Sequence, residues 1–285
     1  MKILLAAGIA FSSFSLLAQS DGDFHLDMEY KMDATGVIRL NSSDAKVFIV
    51  GSNRTTAHVK IDREVTSKGW VFGEEKFTVD VTETNGDLSI KEKSGGTHVG
   101  IVGYYNETYT INIEAPAGAS LMIRGDDGDY FIKEINGSIE LDLDDADVEL
   151  TGCKGDYFKV RLDDGDLRMD AGRGTLELDA DDTDVMIRNA SFQKIVTDID
   201  DGDFLLETVL SDNGDYYINA QDGLVSITAL SGGGKFDIRH DDGRITAKGE
   251  FEMVEKSEDR TRLTLANGNA RINIRADDAR VRLIR

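Results

Sequence analysis

Cysteine, proline and basic charge are the scarce features of this chain. It has one cysteine in 285 residues, Cys153. No intrachain disulfide can form, and no cysteine-based zinc site can be assembled. Cys153 sits in a glycine-flanked turn, Thr151-Gly152-Cys153-Lys154-Gly155, with no neighbouring histidine to activate it. There is one proline, Pro116, against 29 glycines. Many glycines without prolines point to tight turns between strands rather than to a proline-rich disordered chain. Bases are outnumbered, 32 Lys and Arg against 54 Asp and Glu, for a formal net charge of −22. A polyanion of this kind repels nucleic acid and anionic membrane surfaces, so neither is the expected partner. A cation, a basic protein of the envelope or surface, or a neutral glycan fits better. The histidines His25, His58, His98 and His240 are scattered. No His-Glu-x-x-His, phosphate-loop or Gly-x-Ser-x-Gly motif occurs.

Long apolar runs are confined to the N-terminus. Lys2 supplies a positive start, Ile3 to Leu17 is apolar, and Ala18-Gln19-Ser20 offers a small–x–small cleavage site. Residues 1–20 therefore read as a signal peptide, cut after Ser20 or Ala18. No later stretch is long and apolar enough for a membrane helix. The expected location is the periplasm, the cell surface or the medium.

What the chain has in abundance is aspartate, 37 against 17 glutamates. Aspartate is the turn-former of the two, because its short side chain reaches nearby backbone N–H groups. From about residue 120 the aspartates repeat. The marker is Asp-Asp-x-Asp, at Asp126 to Asp129, Asp144 to Asp147, Asp163 to Asp166, Asp181 to Asp184 and Asp200 to Asp203. The numbers of the successive starts differ by 18, 19, 18 and 19. The pattern then decays into Gln221-Asp222-Gly223, Asp241-Asp242-Gly243-Arg244 and Asp277-Asp278-Ala279-Arg280. The last gap is 36, twice 18, with Glu258-Asp259 near its middle as a degenerate copy.

Between turns the apolar residues alternate. Ile139/Leu141/Leu143 precedes one Asp turn and Val148/Leu150 follows it; Phe158/Val160/Leu162 and Leu167/Met169 repeat the arrangement. Period-2 alternation puts one face in and one face out. Past the signal segment no 3.6-residue apolar stripe is present. A two-strand unit of about 19 residues cannot bury its inner face alone, but stacked units bury a continuous column. The expected fold is all-β, a single-chain β-solenoid of the β-helix or β-roll type, with two-strand coils of about 19 residues. Residues 126–285 would hold roughly eight coils stacked in chain order, on the order of 40 Å at strand spacing. Residues 21–119 are less regular but strand-rich, and Pro116 marks the joint to the regular repeats of 120–285. Lys93 to Tyr105 is Gly-rich and reads as a long hairpin tip or mobile loop. Arg280 to Arg285 would end the stack, its alternating arginines blunting the open edge.

The strand from Tyr109 to Ile113, the joint Ala115-Pro116-Ala117-Gly118-Ala119-Ser120 and the strand to Arg124 are followed by Gly-Asp turns. Together with Gly36 to Val47, Gly165 to Met169 and Gly202 to Leu206, this order of motifs resembles a bacterial family of β-strand-repeat domains of unknown function labelled "putative adhesin". The resemblance covers most of the chain after residue 20. It implies a solenoid-like fold, a place in the cell envelope and no catalytic residues. The chain departs from the family in carrying Asp where Ser, Thr or Asn is more usual at the turns.

Aligned repeats stack the aspartates in columns. Between residues 126 and 203 there are 20 Asp, 4 Glu and 8 Lys plus Arg, a net of −16. Two carboxylates ~5 Å apart repel by about 1 kcal/mol in water. One strand face supplies its own compensation, Glu140, Lys159 and Glu177 alternating in sign, as do Asp142, Arg161 and Asp179. The turn columns have no such partners in the sequence. Two readings follow. The columns bind Ca²⁺, which takes six to eight oxygens, through Asp144, Asp145, Asp147, Asp163, Asp164, Asp166, Asp181, Asp182, Asp184, Asp200, Asp201 and Asp203. Or each Asp caps its turn through backbone N–H and the rest is solvated. Neither the calcium β-roll nonapeptide nor the EF-hand loop is matched. Tyr104, Tyr105 and Tyr109, with Trp70 and Phe72, are candidates for a glycan or protein contact patch, or for ordinary strand packing.

Catalysis by paired carboxylates needs two acids in different environments within a cleft. Here the acids are equivalent and the turns too short to build walls. The sequence thus reads as a non-catalytic, secreted envelope or surface scaffold of adhesin type. A Ca²⁺-dependent structural β-roll and a polysaccharide-active β-helix enzyme are the alternatives.

Overall fold

The computed structural model describes residues 22–72, 75–96, 100–241 and 243–285. The expected signal segment and His98 lie outside the described residues, as do the side chains of Trp70 and Phe72. Among the described residues there are twenty β-strands and no helix, and all the strands join in one open sheet. The all-β expectation holds.

The chain opens with β1 (Phe24–Lys31), β2 (Val37–Ser42) and β3 (Lys46–Ser52). β2 and β3 meet at a corner, Ser43 to Ala45. The chain then leaves as a ribbon made of β4 (Thr56–Phe72), β5 (Glu75–Thr84), β6 (Asp87–Gly96) and β7 (Gly100–Pro116). β4 pairs antiparallel with β1 and β7, and β5 with β6. The β5–β6 turn is Asn85-Gly86, with φ of 51° and 83°. Positive φ at both central residues is what a two-residue hairpin turn requires. β6 lies parallel on β2 and β7 parallel on β3. The Gly-rich segment expected as a loop is therefore mostly strand, because Gly100 to Tyr105 pairs with Phe72 to Ser67. Residues 97–99 lie outside the described residues.

After Pro116 the chain returns to the other side of β2 and β3. β8 (Ser120–Lys133) pairs parallel with both, Leu121 beside Ile38 and Tyr130 beside Val47. β9 (Ile139–Thr151), β10 (Tyr157–Asp170) and β11 (Arg173–Asp201) follow, all parallel. Leu121 stands beside Ile139, Ile139 beside Phe158, and Phe158 beside Leu176, each step one period of the Asp turns. These four are at most 2% exposed. Each such side chain contributes about 1.5–3 kcal/mol by leaving water. β11 continues around a further corner to pair with β12 (Asp203–Val209) and β13 (Asp215–Ala220), and β14 (Leu224–Ser231) lies on β12.

The last six strands are β15 (Gly234–His240), β16 (Ile245–Lys248), β17 (Phe251–Lys256), β18 (Arg260–Leu265), β19 (Ala270–Ala276) and β20 (Arg280–Ile284). They do not stack in chain order, and this corrects the expectation. β19 lies between β13 and β15, and β20 between β14 and β16. The final unit is inserted beneath the one that precedes it. The apolar content explains the exchange. Ala270, Ile272, Ile274, Ala276, Val281 and Leu283 are at most 1% exposed, as interior strands require. β16 and β17 offer only Ile245 and Phe251, both half-buried, and suit an end. Glu258-Asp259 is not a degenerate repeat but the turn of the antiparallel β17–β18 hairpin. Nor is Arg280 to Arg285 an open edge. The outermost strand beside β18 is β17, twisted by a bulge between Met253 and Glu255, a common way to blunt an edge.

Candidate functional site: the acidic corners

Each Asp-Asp-x-Asp stretch forms the corner between two strands. In the corner of residues 144–147, Leu143 and Val148 point inward, Ala146 is buried, and Asp144, Asp145 and Asp147 are exposed. The third positions stack in one row: Gly128 beside Ala146, Ala146 beside Gly165, and Gly165 beside Thr183. A Cβ on Gly165 would stand 2.2 Å from the Ala146 carbonyl oxygen, and one on Gly202 2.2 Å from that of Thr183. Gly alternates with Ala or Thr because two side chains do not fit in successive corners. The buried Thr183 hydroxyl donates to the Leu162 and Asp163 carbonyls, at 3.3 Å each.

The outward aspartates form the expected columns. Asp127, Asp145, Asp164 and Asp182 are successive neighbours, as are Asp129, Asp147, Asp166 and Asp184. The last column is partly used for capping. Asp147 Oδ1 accepts the backbone N–H of Asp166 at 3.2 Å, and Asp184 Oδ1 that of Asp203 at 2.9 Å. The corners also have cationic partners that the sequence pattern did not reveal. Lys46 reaches Asp129 at 2.9 Å, Arg168 reaches Asp166 at 2.5 Å, and Arg161 lies 3.8 Å from Asp163. At the end of the ladder the Gln221 amide donates to Asp200. The strand face beside the corners alternates in sign as expected. Lys159 stands between Glu140 and Glu177, 3.7 Å from the Glu140 carboxylate, and Arg124 lies 3.5 Å from Asp142.

Repulsion in the remaining columns is only partly relieved, by Arg161 beside Asp163 and the Gln221 amide on Asp200. Partial desolvation, with Asp145 and Asp182 on either side, holds the Asp164 carboxyl above its ordinary range. Asp181 is held up in the same way, by desolvation and then by Asp163 and Asp200. A carboxyl raised in the folded state contributes stability that is present at low pH and lost as pH rises through its folded value. Asp181→Asn is therefore expected to raise the melting temperature at neutral pH and low salt. The gain should vanish once pH falls below the carboxylate range. Thermal unfolding between pH 3 and 8 checks this, and a lower midpoint at neutral pH would show that the Asp181 carboxylate does a necessary capping job instead.

A groove of ≈ 560 Å³ runs along these corners, past Asp147, Asp166, Asp182, Asp184 and Asp201. It is open and lined mainly by aspartates. Among the described residues, no three carboxylate, imidazole or thiol groups come together where a metal ion could be held. The twelve aspartates are thus arranged in rows, one rung apart, rather than gathered around a point.

A family model described as Toastrack DUF4097 matches residues 35–283. The chain belongs to the Toastrack DUF4097 family. The match runs from just before β2 into β20, and bears out the resemblance read from the strand and turn motifs. Two solved structures are similar to this Toastrack chain at 13% identity. One is described as a putative cell adhesion protein from Clostridium sporogenes; the similarity covers 92% of this chain and 98% of that one, with a TM-score of 0.27. The other is described as a putative adhesin from Bacteroides fragilis, covering 92% and 97%, with a TM-score of 0.39. No curated protein matches the chain.

The remaining chemistry-bearing groups of the Toastrack chain do not converge. His25 faces Asp62 at 3.1 Å, His58 faces Asp27 at 2.7 Å, and His240 Nε2 lies 3.1 Å from the Thr261 hydroxyl. Cys153 is buried, and burial pushes its thiol up, away from the reactive thiolate. Tyr104 and Tyr105 are exposed, but Tyr109 is buried edge-on to Phe77 at 5.2 Å, so the expected tyrosine patch loses a member to packing. Two surface features escaped the sequence reading. Phe48 and Phe131 stack at 5.0 Å across β3 and β8. Arg239 of β15, Arg260 and Arg262 of β18, and Arg271 and Arg275 of β19 gather on one face, with Asp237 among them. Arg260-Thr261-Arg262, and Arg271 and Arg275 at the ends of an alternating strand, were a signal for the second.

Proposed function

We propose that this Toastrack chain is an exported, non-catalytic interaction scaffold of the cell envelope or surface. Its body is a β-solenoid of stacked two-strand coils, each about 19 residues long. The stack holds rows of charged side chains at strand spacing and presents them to a protein or glycan partner. The observation that carries this reading is the equivalence of the acids. Asp127, Asp145, Asp164 and Asp182 occupy the same place on successive rungs, on an outward edge along an open groove. A hydrolase or lyase needs the opposite, two acids driven apart in character by different surroundings.

Fractionation of cells producing the chain, combined with mass measurement and retention of the purified protein by isolated envelopes, tests it. The expected result is an exported form lacking residues 1–20 that is retained by envelopes. Full-length protein in the cytoplasm, or turnover of an envelope polysaccharide by the purified chain, would overturn it.

A Ca²⁺-dependent form of the same scaffold is favoured by the stacking of Asp127, Asp145, Asp164 and Asp182 on successive rungs, whose repulsion a divalent cation bridging the rungs would relieve. A Ca²⁺ titration of the EDTA-treated protein, with Mg²⁺ as control, should then give a saturable, Ca²⁺-selective rise in melting temperature. An equal small shift with Mg²⁺ or plain salt leaves screening and turn-capping as the whole role of the columns.

A further inference from the structure

The arginine face at the C-terminal end has the make-up of a binding site for an anion. Arg239 of β15 stands directly between Arg275 of β19 and Arg260 of β18. Three guanidinium groups at a strand spacing of ~4.8 Å repel one another. Two of them have carboxylate partners. Arg260 is held by both oxygens of Asp237, at 2.8 and 2.5 Å, and Arg275 lies 3.3 Å from Asp277. No hydrogen bond or ion pair among the described residues reaches Arg239, the middle one. Its donors stay free in a place where a second positive charge lies on either side.

Two grooves, of ≈ 250 and ≈ 400 Å³, meet at Arg239 and Arg275. The smaller one is lined also by Tyr217, Asn273 and Asp237. Tyr217 is 49% exposed and lies beside Asn273, which lies beside Asp237. The ring of Tyr217 offers a flat apolar surface, Asn273 and Asp237 offer hydroxyl partners, and Arg239 offers a planar fork for a carboxylate. The smaller groove, with Arg239 and Arg275 against one aspartate, an aromatic platform and the Asn273 amide, suits a sugar that carries an acid group.

We propose that this groove binds an anionic saccharide, a uronate-bearing glycan, with its carboxylate on Arg239 and Arg275 and a sugar ring on Tyr217. This names a ligand class for the interaction scaffold proposed above and rests on that reading. The larger groove carries Asp241, Asp259 and Asp277 against Arg239, Arg260 and Arg275, so the smaller one, with two arginines against Asp237, is where a carboxylate is received.

The test is calorimetric titration of the purified protein with an oligogalacturonate, its fully methyl-esterified counterpart, and polyaspartate. The acid sugar is expected to bind and the ester not to. Arg239→Ala should weaken binding at least about tenfold, the loss of a charge-assisted contact. Arg239→Lys should restore only part of it, and Tyr217→Ala should weaken it several-fold. Arg173→Ala, on the far acidic region, should leave it unchanged. Arg239→Ala should melt at the same temperature as the parent or higher, since it removes a like charge from between two others. Polyaspartate binding as tightly, with no effect of Tyr217→Ala, would overturn the saccharide in favour of an acidic peptide. No binding of the oligouronate, with envelope retention intact, would overturn this site alone; loss of both would overturn the scaffold reading as well.

Discussion

Gly165→Ala is expected to destabilise the protein by more than about 3 kcal/mol, and Gly165→Val to prevent folding. Gly165 has a φ of 118°, a region that side-chain-bearing residues enter at a cost of roughly 1–3 kcal/mol. The added carbon would lie 2.2 Å from the Ala146 carbonyl oxygen and 2.8 Å from its carbon. These are backbone atoms of the rung below and cannot turn aside as a side chain would. Relief requires opening the parallel pairing between β9 and β10, which spans Phe158 to Asp170. A domain holds only about 5–15 kcal/mol in total, so one such corner is a large fraction of it. Ala146→Gly, in the same row, removes a small side chain without a clash and should cost only about 1 kcal/mol. Denaturant unfolding of the three variants separates the cases. A Gly165→Ala protein within about 0.5 kcal/mol of the parent would mean that the corners do not stack as closely as described.

That row also shows what could be read in the chain before its structure. Asp-Asp-x-Asp recurring at a nearly constant interval, between alternating apolar residues, is enough to place Leu143 beside Leu162 and Leu162 beside Ala180. Periodicity is local and additive, so it survives in the sequence. Neighbour choice at the ends is not. Asp277-Asp278 follows Asp241-Asp242 at twice the usual interval, and a whole multiple fits stacking in order as well as insertion. What decides is how many apolar residues each strand can turn inward, where Ile272 and Ile274 outdo Ile245 and Phe251. The same blindness hid the arginine face. Arg239, Arg260 and Arg275 become neighbours only because β19 is inserted and β18 folds back antiparallel. The aspartate columns were legible because their members come from consecutive repeats, with no such rearrangement between them.

Arg63→Ala is expected to cost about 3 kcal/mol and to loosen the N-terminal end of the sheet first. Arg63 is 2% exposed, at the point where β4 passes between β1 and β7, opposite Phe24 on one side and Tyr109 on the other. Its Nε donates to Glu107 at 2.6 Å, its Nη1 donates to the Gly22 carbonyl at 2.5 Å, and its guanidinium lies 4.2 Å from the centre of the Phe77 ring. Phe77 in turn meets Phe24 and Tyr109 edge-on. Removing the side chain leaves the half-buried Glu107 carboxylate without its guanidinium and opens a hole beneath three rings. Lysine at this position keeps the charge but not the fork, and should recover only part of the loss. A double Arg63→Met, Glu107→Gln variant removes both charges while keeping most of the volume. It should be more stable than Arg63→Ala, because an unpaired buried charge costs more than an absent pair. In a protein built from stacked rungs, stability is close to a sum of neighbour terms, so the damage should stay at this end. Hydrogen exchange in Arg63→Ala is then expected to speed up in Phe24 to Lys31 and in the β4–β7 pairing, and to stay slow in β9 and β10. Uniform loss of protection along the whole chain would mean that the end strands and the central rows unfold as one unit.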